Sequence, residues 1–238
     1  MSIRYIKCTD INRVGQQVGQ LLINQVKREP HSSFILATGS SPITTYKILV
    51  QDHQINHTDW SKTTTFNLDE YLGLNEKYAQ QSYRYFMDEN LFNHINIDKA
   101  RTYFPNQSLI GSKYQELMQR YPRIAIAILG VGNNGHIAFN EPGTPIDSWT
   151  HIVNLTASSR QANARFFDND IHNVPTQAVT MGLKEILQAN QIILIATGKA
   201  KSEAIQHLKY AQKFDPNWPI TALTLHNDVI VFTDALID

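Results

Sequence analysis

Short apolar runs alternate along the chain with longer segments in which apolar residues recur at helical spacing. The runs that predict strands span residues 33–37, 63–68, 124–129, 151–155, 192–196 and 229–233. The segments of helix length span residues 12–27, 42–52, 82–93, 111–121 and 201–212. Several runs are apolar at consecutive positions, as in strands covered on both faces. The alternation predicts an α/β fold of Rossmann-like type, with an open, mostly parallel sheet and helices on both faces.

Length, charge and cysteine content narrow the class of protein. The 238 residues contain no repeat, low-complexity tract or Pro/Gly/Ser linker, so we expect a single domain over residues 1–238. Lys plus Arg and Asp plus Glu each number 21, which leaves no net positive field for nucleic acid or anionic lipid. No apolar run approaches the roughly 20 residues of a membrane helix, and the charged N-terminus does not resemble a signal peptide. With Cys8 as the single cysteine, we expect a cytoplasmic protein whose partner is a small molecule, not nucleic acid or a membrane.

Polar, glycine-bearing segments follow four of the predicted strands. These segments are residues 38–41, 69–70, 130–136 and 197–199. Ligands of open parallel sheets bind in the crevice at the carboxyl ends of the strands, so these four loops are expected to converge on one site. The pattern predicts an enzyme or a small-molecule binder.

The segment Gly39-Ser40-Ser41-Pro42 has the composition of a phosphate site at the start of a helix. Proline suits a first helical position, and the free N–H groups of the helix, together with the serine hydroxyls, favour an anion. The alternative is that Ser41 simply caps the helix. No Gly-Lys-Ser/Thr follows, so this is not a nucleotide P-loop, and a phosphomonoester fits better than ATP.

The segment 130–135 has the glycine spacing of a dinucleotide-binding fingerprint but not its context. Pro142 interrupts the segment that follows, and no acidic residue comes after the next strand. The glycines instead bring Asn134, His136 and Glu141 together in one loop. An amide, an imidazole and a carboxylate are the parts of an oriented acid/base relay. The alternative is a histidine that is satisfied within a structural loop.

Further charged residues lie near the predicted strand ends. Asp69 and Glu70 are adjacent, so their side chains point to opposite sides and cannot form a carboxylate dyad. Lys201 lies near a strand-to-helix turn, where it either binds phosphate or is solvated. Arg160 and Arg165 are separated by about 140° around a helix, so only one of them faces a given ligand.

Four stretches of the sequence resemble the glucosamine-6-phosphate deaminase family, and the similarity covers nearly the whole chain. They are residues 66–71 (FNLDEY), 82–86 (SYRYF), 130–142 (GVGNNGHIAFNEP) and 160–167 (RQANARFF). The third stretch is the most specific, because a chance match to so long a string is negligible.

The resemblance implies conversion of glucosamine 6-phosphate and water to fructose 6-phosphate and ammonia, without a metal or an organic cofactor. It implies that His136, oriented by Glu141 and Asn134, opens the sugar ring. Asp69 then takes the proton from C2 and returns it at C1. The residues expected around the substrate phosphate are Gly39, Ser40, Ser41, Arg165 and Lys201.

Two alternatives come from other classes of protein. A 6-phosphogluconolactonase shares the fold, but its loops read Asp-Glu-Arg and Gly-His-Thr-Ala-Ser, where this chain has DEY at 69–71 and GHIA at 135–138. A non-catalytic sugar-phosphate-binding module normally carries a DNA-binding helical segment ahead of the sheet, for which this sequence leaves no room. Allosteric members of the family carry Asp at the position of Asn134.

For the oligomeric state of the protein, we expect a monomer or a small homo-oligomer.

Overall fold

Two β-sheets make up the framework of the computed structural model, which describes residues 2–234 apart from the side chains of Ser2, Ser158 and Ala162. The strands are β1 (Ser2–Lys7), β2 (Ser33–Leu36), β3 (Thr64–Asn67), β4 (Asp69–Leu72), β5 (Thr102–Tyr103), β6 (Ile124–Gly130), β7 (His151–Asn154), β8 (Gln177–Thr180), β9 (Gln191–Ile195) and β10 (Asp228–Thr233). Seven of them form a parallel sheet in the order β1-β10-β9-β6-β2-β3-β5. The second sheet is antiparallel and has the order β4-β8-β7.

Helices connect the parallel strands and cover both faces of the large sheet. The α-helices are α1 (Ile11–Arg28), α2 (Ile43–Asn56), α3 (Tyr83–Met87), α4 (Lys113–Met118), α5 (Ala157–Asn163), α6 (Leu183–Ile186) and α7 (Ser202–Tyr210). A π-helix over Asp88–Phe92 continues α3, and short 3-10 helices lie at Glu76–Gln81, Lys99–Arg101, Gln107–Leu109, Ala164–Phe166, Ile171–Asn173, Lys199–Lys201 and Pro219–Leu225. None of the helices within residues 2–234 is both long and apolar enough to cross a membrane.

The central strand β6 shows why its sequence is apolar without interruption. Ile126 and Ile128 pack in a core cluster with α1 and α2, whereas Ala127 and Leu129 pack in a second cluster on the opposite face. A strand that is covered on both faces has no solvent-exposed side and therefore no polar alternation. The predicted parallel sheet with helices on both faces is confirmed.

The predicted strand at 151–155 exists but lies in a different sheet. As β7 it pairs antiparallel with β8, and its residues alternate between half-buried and exposed. Such alternation is typical of an antiparallel sheet with one open face, so grouping this run with the parallel strands was wrong. Asp69 and Glu70, expected in a loop, are the first residues of β4.

The pair α1 and α2 packs closely because two glycines of α1 face α2. A Cβ atom added to Gly15 would lie 2.6 Å from the Thr44 Cβ and 2.7 Å from the Thr44 carbonyl carbon. At Gly19 the nearest atom would be the Ile48 Cγ2, at 2.7 Å. The clash at Gly15 involves backbone, so a change of side-chain rotamer does not relieve it.

We predict that Gly15→Ala lowers the free energy of unfolding by about 2 kcal/mol, because forced separation of packed helices outweighs the higher helix propensity of alanine. The measurement is urea unfolding. Gln20→Ala, at an exposed position of the same helix, is the control and should change the stability by less than about 0.5 kcal/mol. Equal stability of the two variants would contradict the close packing of α1 and α2.

Candidate active site

Three of the predicted loops meet at the carboxyl end of the parallel sheet. A Cβ atom added to Gly130, at the end of β6, would lie 3.6 Å from the Ser41 Oγ. Lys201, after β9, donates from Nζ to the Asn133 Oδ1 at 2.8 Å. These contacts bring the loops after β2, β6 and β9 to one place, as parallel strand ends require.

The loop after β2 leaves both of its serines without a protein hydrogen bond among the described residues. Gly39 adopts a φ of 89°, a left-handed conformation that favours glycine. Ser40 is exposed and Ser41 half-buried. Helix α2 begins at Ile43, and Pro42 precedes it without a side-chain cap, so Ser41 does not cap the helix.

Lys201 is the half-buried cation of this region. Burial lowers the pKa of its ammonium group, because desolvation disfavours the charged form. The neighbouring Lys199 is exposed. Arg165 is exposed in the 3-10 helix Ala164–Phe166, and its guanidinium carbon lies 4.6 Å from the centre of the Phe166 ring. Within residues 2–234, Arg165 forms no hydrogen bond or ion pair with Ser40, Ser41 or Lys201.

The chain crosses from one sheet to the other at Leu68. The Leu68 N–H donates to the Leu36 carbonyl of β2 at 3.2 Å, and its carbonyl accepts from the Met181 N–H at 2.7 Å. Asp69 follows as the first residue of β4, where it pairs with Thr180 of β8. The crossing therefore places the Asp69 carboxyl group where the two sheets meet.

Asp69 is only 7% exposed. Burial raises the pKa of Asp69 to about 8, and the adjacent Glu70 adds to the effect. The Glu70 carboxylate accepts from the backbone N–H groups of Tyr83 and Arg84, each at 2.9 Å. Glu70 is therefore hydrogen-bonded to the start of α3. Of these two carboxyl groups, that of Asp69 has no hydrogen-bond partner among the described residues.

The loop after β6 assembles Asn134, His136 and Glu141 into one network. The His136 Nδ1 lies 2.7 Å from the Asn134 Oδ1 and 3.5 Å from the Glu141 Oε2. Asn134 in turn donates from Nδ2 to the Glu141 Oε2 at 2.8 Å. Because an amide oxygen only accepts, Nδ1 carries a hydrogen, and the Nε2 of the neutral ring is left to accept a proton. The network fixes both the orientation and the tautomer of His136.

The carboxyl group of Glu141 is ionised more readily than usual. Burial opposes its ionisation, but interactions with His136, Asn134 and Ser159 outweigh burial and hold the pKa of Glu141 below its ordinary value. An ionised carboxylate therefore lies 3.5 Å from the His136 Nδ1 and helps to hold the ring in its orientation.

Glycine is required where the imidazole folds back onto its own loop. A Cβ atom at Gly132 would overlap the His136 ring, and the Gly132 N–H donates to the His136 carbonyl at 2.9 Å. Gly135 has a φ of 78°, and a Cβ there would lie 2.7 Å from the Trp218 Cε3. The glycine spacing thus serves the placement of the imidazole.

The histidine loop is attached to the same strand that pairs with Asp69. The Phe139 N–H donates to the Thr180 Oγ1 at 3.1 Å, and the Asn140 Nδ2 donates to the Met181 carbonyl at 2.8 Å. Thr180 is also the partner of Asp69 across β4 and β8. The end of β8 therefore contacts both the strand that carries Asp69 and the loop that carries His136.

Sequence reasoning missed three residues that hold the site together: Ser159, Thr180 and Asn133. The Ser159 Oγ donates to the Glu141 Oε1 at 3.1 Å. Thr156, the N-cap of α5, gives the local sequence signal, because Thr is a favoured N-cap whose hydroxyl accepts from a backbone N–H of the first turn, here that of Ser159. Arg160, weighed as a ligand for anions, donates instead to the carbonyls of Ile171 and Val174, at 2.6 and 3.2 Å.

These features define an α/β protein with a candidate acid/base site at the carboxyl ends of its parallel strands. In the part of the chain that the structure describes, no three His, Cys, Asp or Glu side chains are grouped as metal ligands.

Comparison with known proteins identifies the family. The sequence model of the glucosamine-6-phosphate isomerases/6-phosphogluconolactonase family matches residues 10–232. The chain belongs to this family. It is 42% identical over 237 residues to a protein of Malacoplasma penetrans and 47% identical over 224 residues to one of Mycoplasma mycoides, both named glucosamine-6-phosphate deaminase. These alignments cover 97% and 93% of this chain, and 98% and 91% of the relatives.

Solved structures place the fold in the same family. A monomeric glucosamine-6-phosphate deaminase matches with a TM-score of 0.90 and 36% identity, over 97% of both chains. The 6-phosphogluconolactonase of Thermotoga maritima matches with a TM-score of 0.70 over 97% of both chains, but it is only 17% identical and shows the shared fold alone.

The burial of Asp69 predicts a stability that falls as the pH rises. The pKa of Asp69 is about 8 in the folded state, above the ordinary 3.8. The stability that the neutral Asp69 carboxyl group contributes is therefore fully present below pH 3.8 and is lost as the pH rises through the folded-state pKa. Between about pH 5 and pH 7, wild type should lose roughly 1.4 kcal/mol per pH unit relative to Asp69→Asn. Urea unfolding of both proteins measures the difference, and parallel pH dependences would contradict the prediction.

Proposed function

We propose that the protein is a glucosamine-6-phosphate deaminase of amino sugar catabolism, which converts glucosamine 6-phosphate and water to fructose 6-phosphate and ammonia. The observation that carries the proposal is that the same end of β8 contacts both segments: β8 pairs with Asp69, and its Thr180 Oγ1 accepts from the Phe139 N–H in the loop that carries His136. Aldose–ketose chemistry needs both a base for a carbon-bound proton and an acid/base for oxygen. The names of the full-length relatives support the same activity.

The substrate phosphate binds to the loop after β2 and to Lys201. The two serine hydroxyls, Ser40 and Ser41, have no protein partner among the described residues, and the N–H groups beyond Gly39 are at the start of α2, where a phosphate is favoured. Lys201 supplies a half-buried positive charge beside them. Arg165 completes the phosphate site from the exposed segment that follows α5.

His136 opens the sugar ring. Its Nε2 accepts the proton of the C1 hydroxyl and delivers it to the ring oxygen as the C1–O5 bond breaks. Asn134 and Glu141 keep the ring in the required tautomer, and the ionised Glu141 stabilises the imidazolium that forms.

Asp69 moves the proton between carbons. It takes the proton from C2 of the open-chain aldehyde while the C1 oxygen gains a proton and the substrate's ammonium group loses one, which gives an enolamine. Returning the proton to C1 gives the imine at C2, which water hydrolyses to the ketone and ammonia. A carboxylate whose pKa is raised by burial is a stronger base than an exposed one, and a neighbouring ammonium group of the substrate favours its ionised form.

Residues 1–238 act as one domain and as a monomer in the cytoplasm. The single cysteine agrees with a reducing compartment. The solved relative at 36% identity is a monomeric enzyme over nearly the same length, which supports this state. None of the proposed steps needs a metal ion or an organic cofactor.

An ammonia-release assay tests the proposal. The purified protein is supplied with glucosamine 6-phosphate, and its hydrolysis of 6-phosphogluconolactone is measured in parallel. We expect ammonia and fructose 6-phosphate in equal amounts and no lactone hydrolysis above the spontaneous rate. Lactone hydrolysis without ammonia release would instead assign the protein to the other activity of the family.

We predict that Asp69→Asn abolishes ammonia release and leaves KM within about threefold of wild type, because the amide keeps the shape but accepts no proton. Exchange of the C2 hydrogen with deuterated solvent should disappear with it. Turnover near that of wild type would show that Asp69 is not the base, and Glu70→Gln would then be tested.

Removal of the proposed phosphate ligands should act on substrate binding. Lys201→Ala and Arg165→Ala each remove a charge-assisted contact worth about 1.5–3 kcal/mol, so KM should rise by about tenfold or more with a smaller change in kcat. Lys199→Ala, at an exposed lysine of the same turn, is the matched control. If KM is unchanged in both variants, the phosphate binds elsewhere.

A further inference from the structure

The two oxygens of the Glu141 carboxylate are held from different parts of the chain. Oε2 accepts from Asn134 and lies beside His136, both in the loop after β6. Oε1 accepts from the Ser159 hydroxyl at 3.1 Å, which lies in α5. Ser159 therefore connects the relay to an element outside its own loop.

The Ser159 hydroxyl is itself held in place. The Thr156 Oγ1 donates to the Ser159 Oγ at 2.9 Å, and the Ser159 N–H donates to the Thr156 Oγ1 at 3.1 Å. Because the Ser159 Oγ accepts the hydrogen of Thr156, its own hydrogen is directed to Glu141. The first turn of α5 thus presents one hydrogen-bond donor, the Ser159 hydroxyl, to the Glu141 carboxylate.

Helix α5 is held by hydrogen bonds to two other segments of the chain. Asn163 donates from Nδ2 to the Tyr71 hydroxyl of β4 at 2.9 Å. Tyr71 follows Asp69 by two residues, and its ring centre lies 6.5 Å from that of Phe139 in the histidine loop. Arg160 fixes the other side of the helix to the carbonyls of Ile171 and Val174. The donor at Ser159 therefore has a defined position relative to both catalytic groups.

We propose that Ser159 is a positioning residue of the deamination, which acts through Glu141 by fixing the carboxylate that orients His136; this inference rests on the proposed function. A carboxylate held at one oxygen alone can rotate about its terminal bond, whereas bonds to both oxygens fix its plane. Ser159 does not touch the reacting atoms in the proposed mechanism, and its effect on the rate is transmitted by Glu141.

The test uses the double-mutant cycle of Ser159→Ala and Glu141→Gln. Ser159→Ala should lower kcat by about tenfold, the loss expected for one hydrogen bond to a charged group, with KM within about twofold of wild type. Ser159→Thr keeps the hydroxyl and should restore kcat to within about threefold of wild type. In the Glu141→Gln background, Ser159→Ala should change kcat by less than about twofold, because the group it acts through has lost its charge.

Ser112→Ala is the matched control. Ser112 also donates from Oγ to a glutamate carboxylate, that of Glu116 at 2.7 Å, but at the exposed start of α4. It should leave kcat and KM unchanged, and thermal unfolding of both alanine variants monitors the fold. Equal losses of kcat in the two backgrounds, or no loss in Ser159→Ala alone, would overturn the inference.

A readout without substrate separates this inference from the proposed function. The nitrogen-15 NMR signals of the His136 ring should shift in Ser159→Ala, shift back in Ser159→Thr, and be insensitive to Ser159→Ala in the Glu141→Gln background. If these shifts occur in a protein that releases no ammonia, the positioning role holds and the proposed function is wrong. If ammonia is released but the His136 signals do not move, the proposed function holds and the inference is wrong.

Discussion

The two backbone hydrogen bonds of Leu68 are the constraint on which the site depends. Its N–H donates to the Leu36 carbonyl of the parallel sheet, and its carbonyl accepts from the Met181 N–H beside the antiparallel sheet. Because both hydrogen bonds are buried, neither is replaced by water if the chain shifts by one residue. The next residue, Asp69, therefore leaves the parallel sheet at its carboxyl edge and enters β4 in a fixed register with Thr180. A one-residue slip would turn the carboxyl group to the other face of the strand.

Strand β8 contacts the segments that carry both of the proposed catalytic groups, Asp69 and His136. It pairs with Asp69 through the backbone and receives the histidine loop through the Thr180 side chain. The glycines of that loop let the imidazole lie against Gly132, and its tautomer is set by Asn134. The small sheet, which contributes little to the main core, is thus the part of the fold that positions both of the proposed catalytic groups.

The sequence predicts the large sheet well and the small sheet poorly, for a physical reason. Strands such as β6 are apolar at every position because both faces are covered, and that signal is strong. Strand β8 has four residues and β4 begins with two carboxylates, so neither shows a clear period. Asp69 was expected in a loop after a strand, and it is instead the first residue of β4. The motifs around His136 were also visible in the sequence, since their residues are close along the chain.

Contacts between distant segments were beyond sequence reasoning. The bond from Ser159 to Glu141 spans 18 residues and depends on where α5 packs. Asn133 reaches Lys201 across 68 residues, and Phe139 reaches Thr180 across 41. Polar residues at such positions look like ordinary loop residues in a single sequence, because the partner that gives each a role is set by tertiary structure. The role of Arg165 could not be derived from its sequence context either, and its assignment to the phosphate rests on the resemblance to the family.

We propose that burial where the two sheets meet makes Asp69 the carboxylate base of the reaction. A carbon-13 NMR titration of the Asp69 carboxyl group measures its basicity, with the signal assigned by its loss in Asp69→Asn. We expect a titration midpoint at a pH of about 8 in the free protein. A midpoint near the ordinary pKa of 3.8 would contradict it, because Asp69 would then be a solvated carboxylate with no more basicity than any other on the surface.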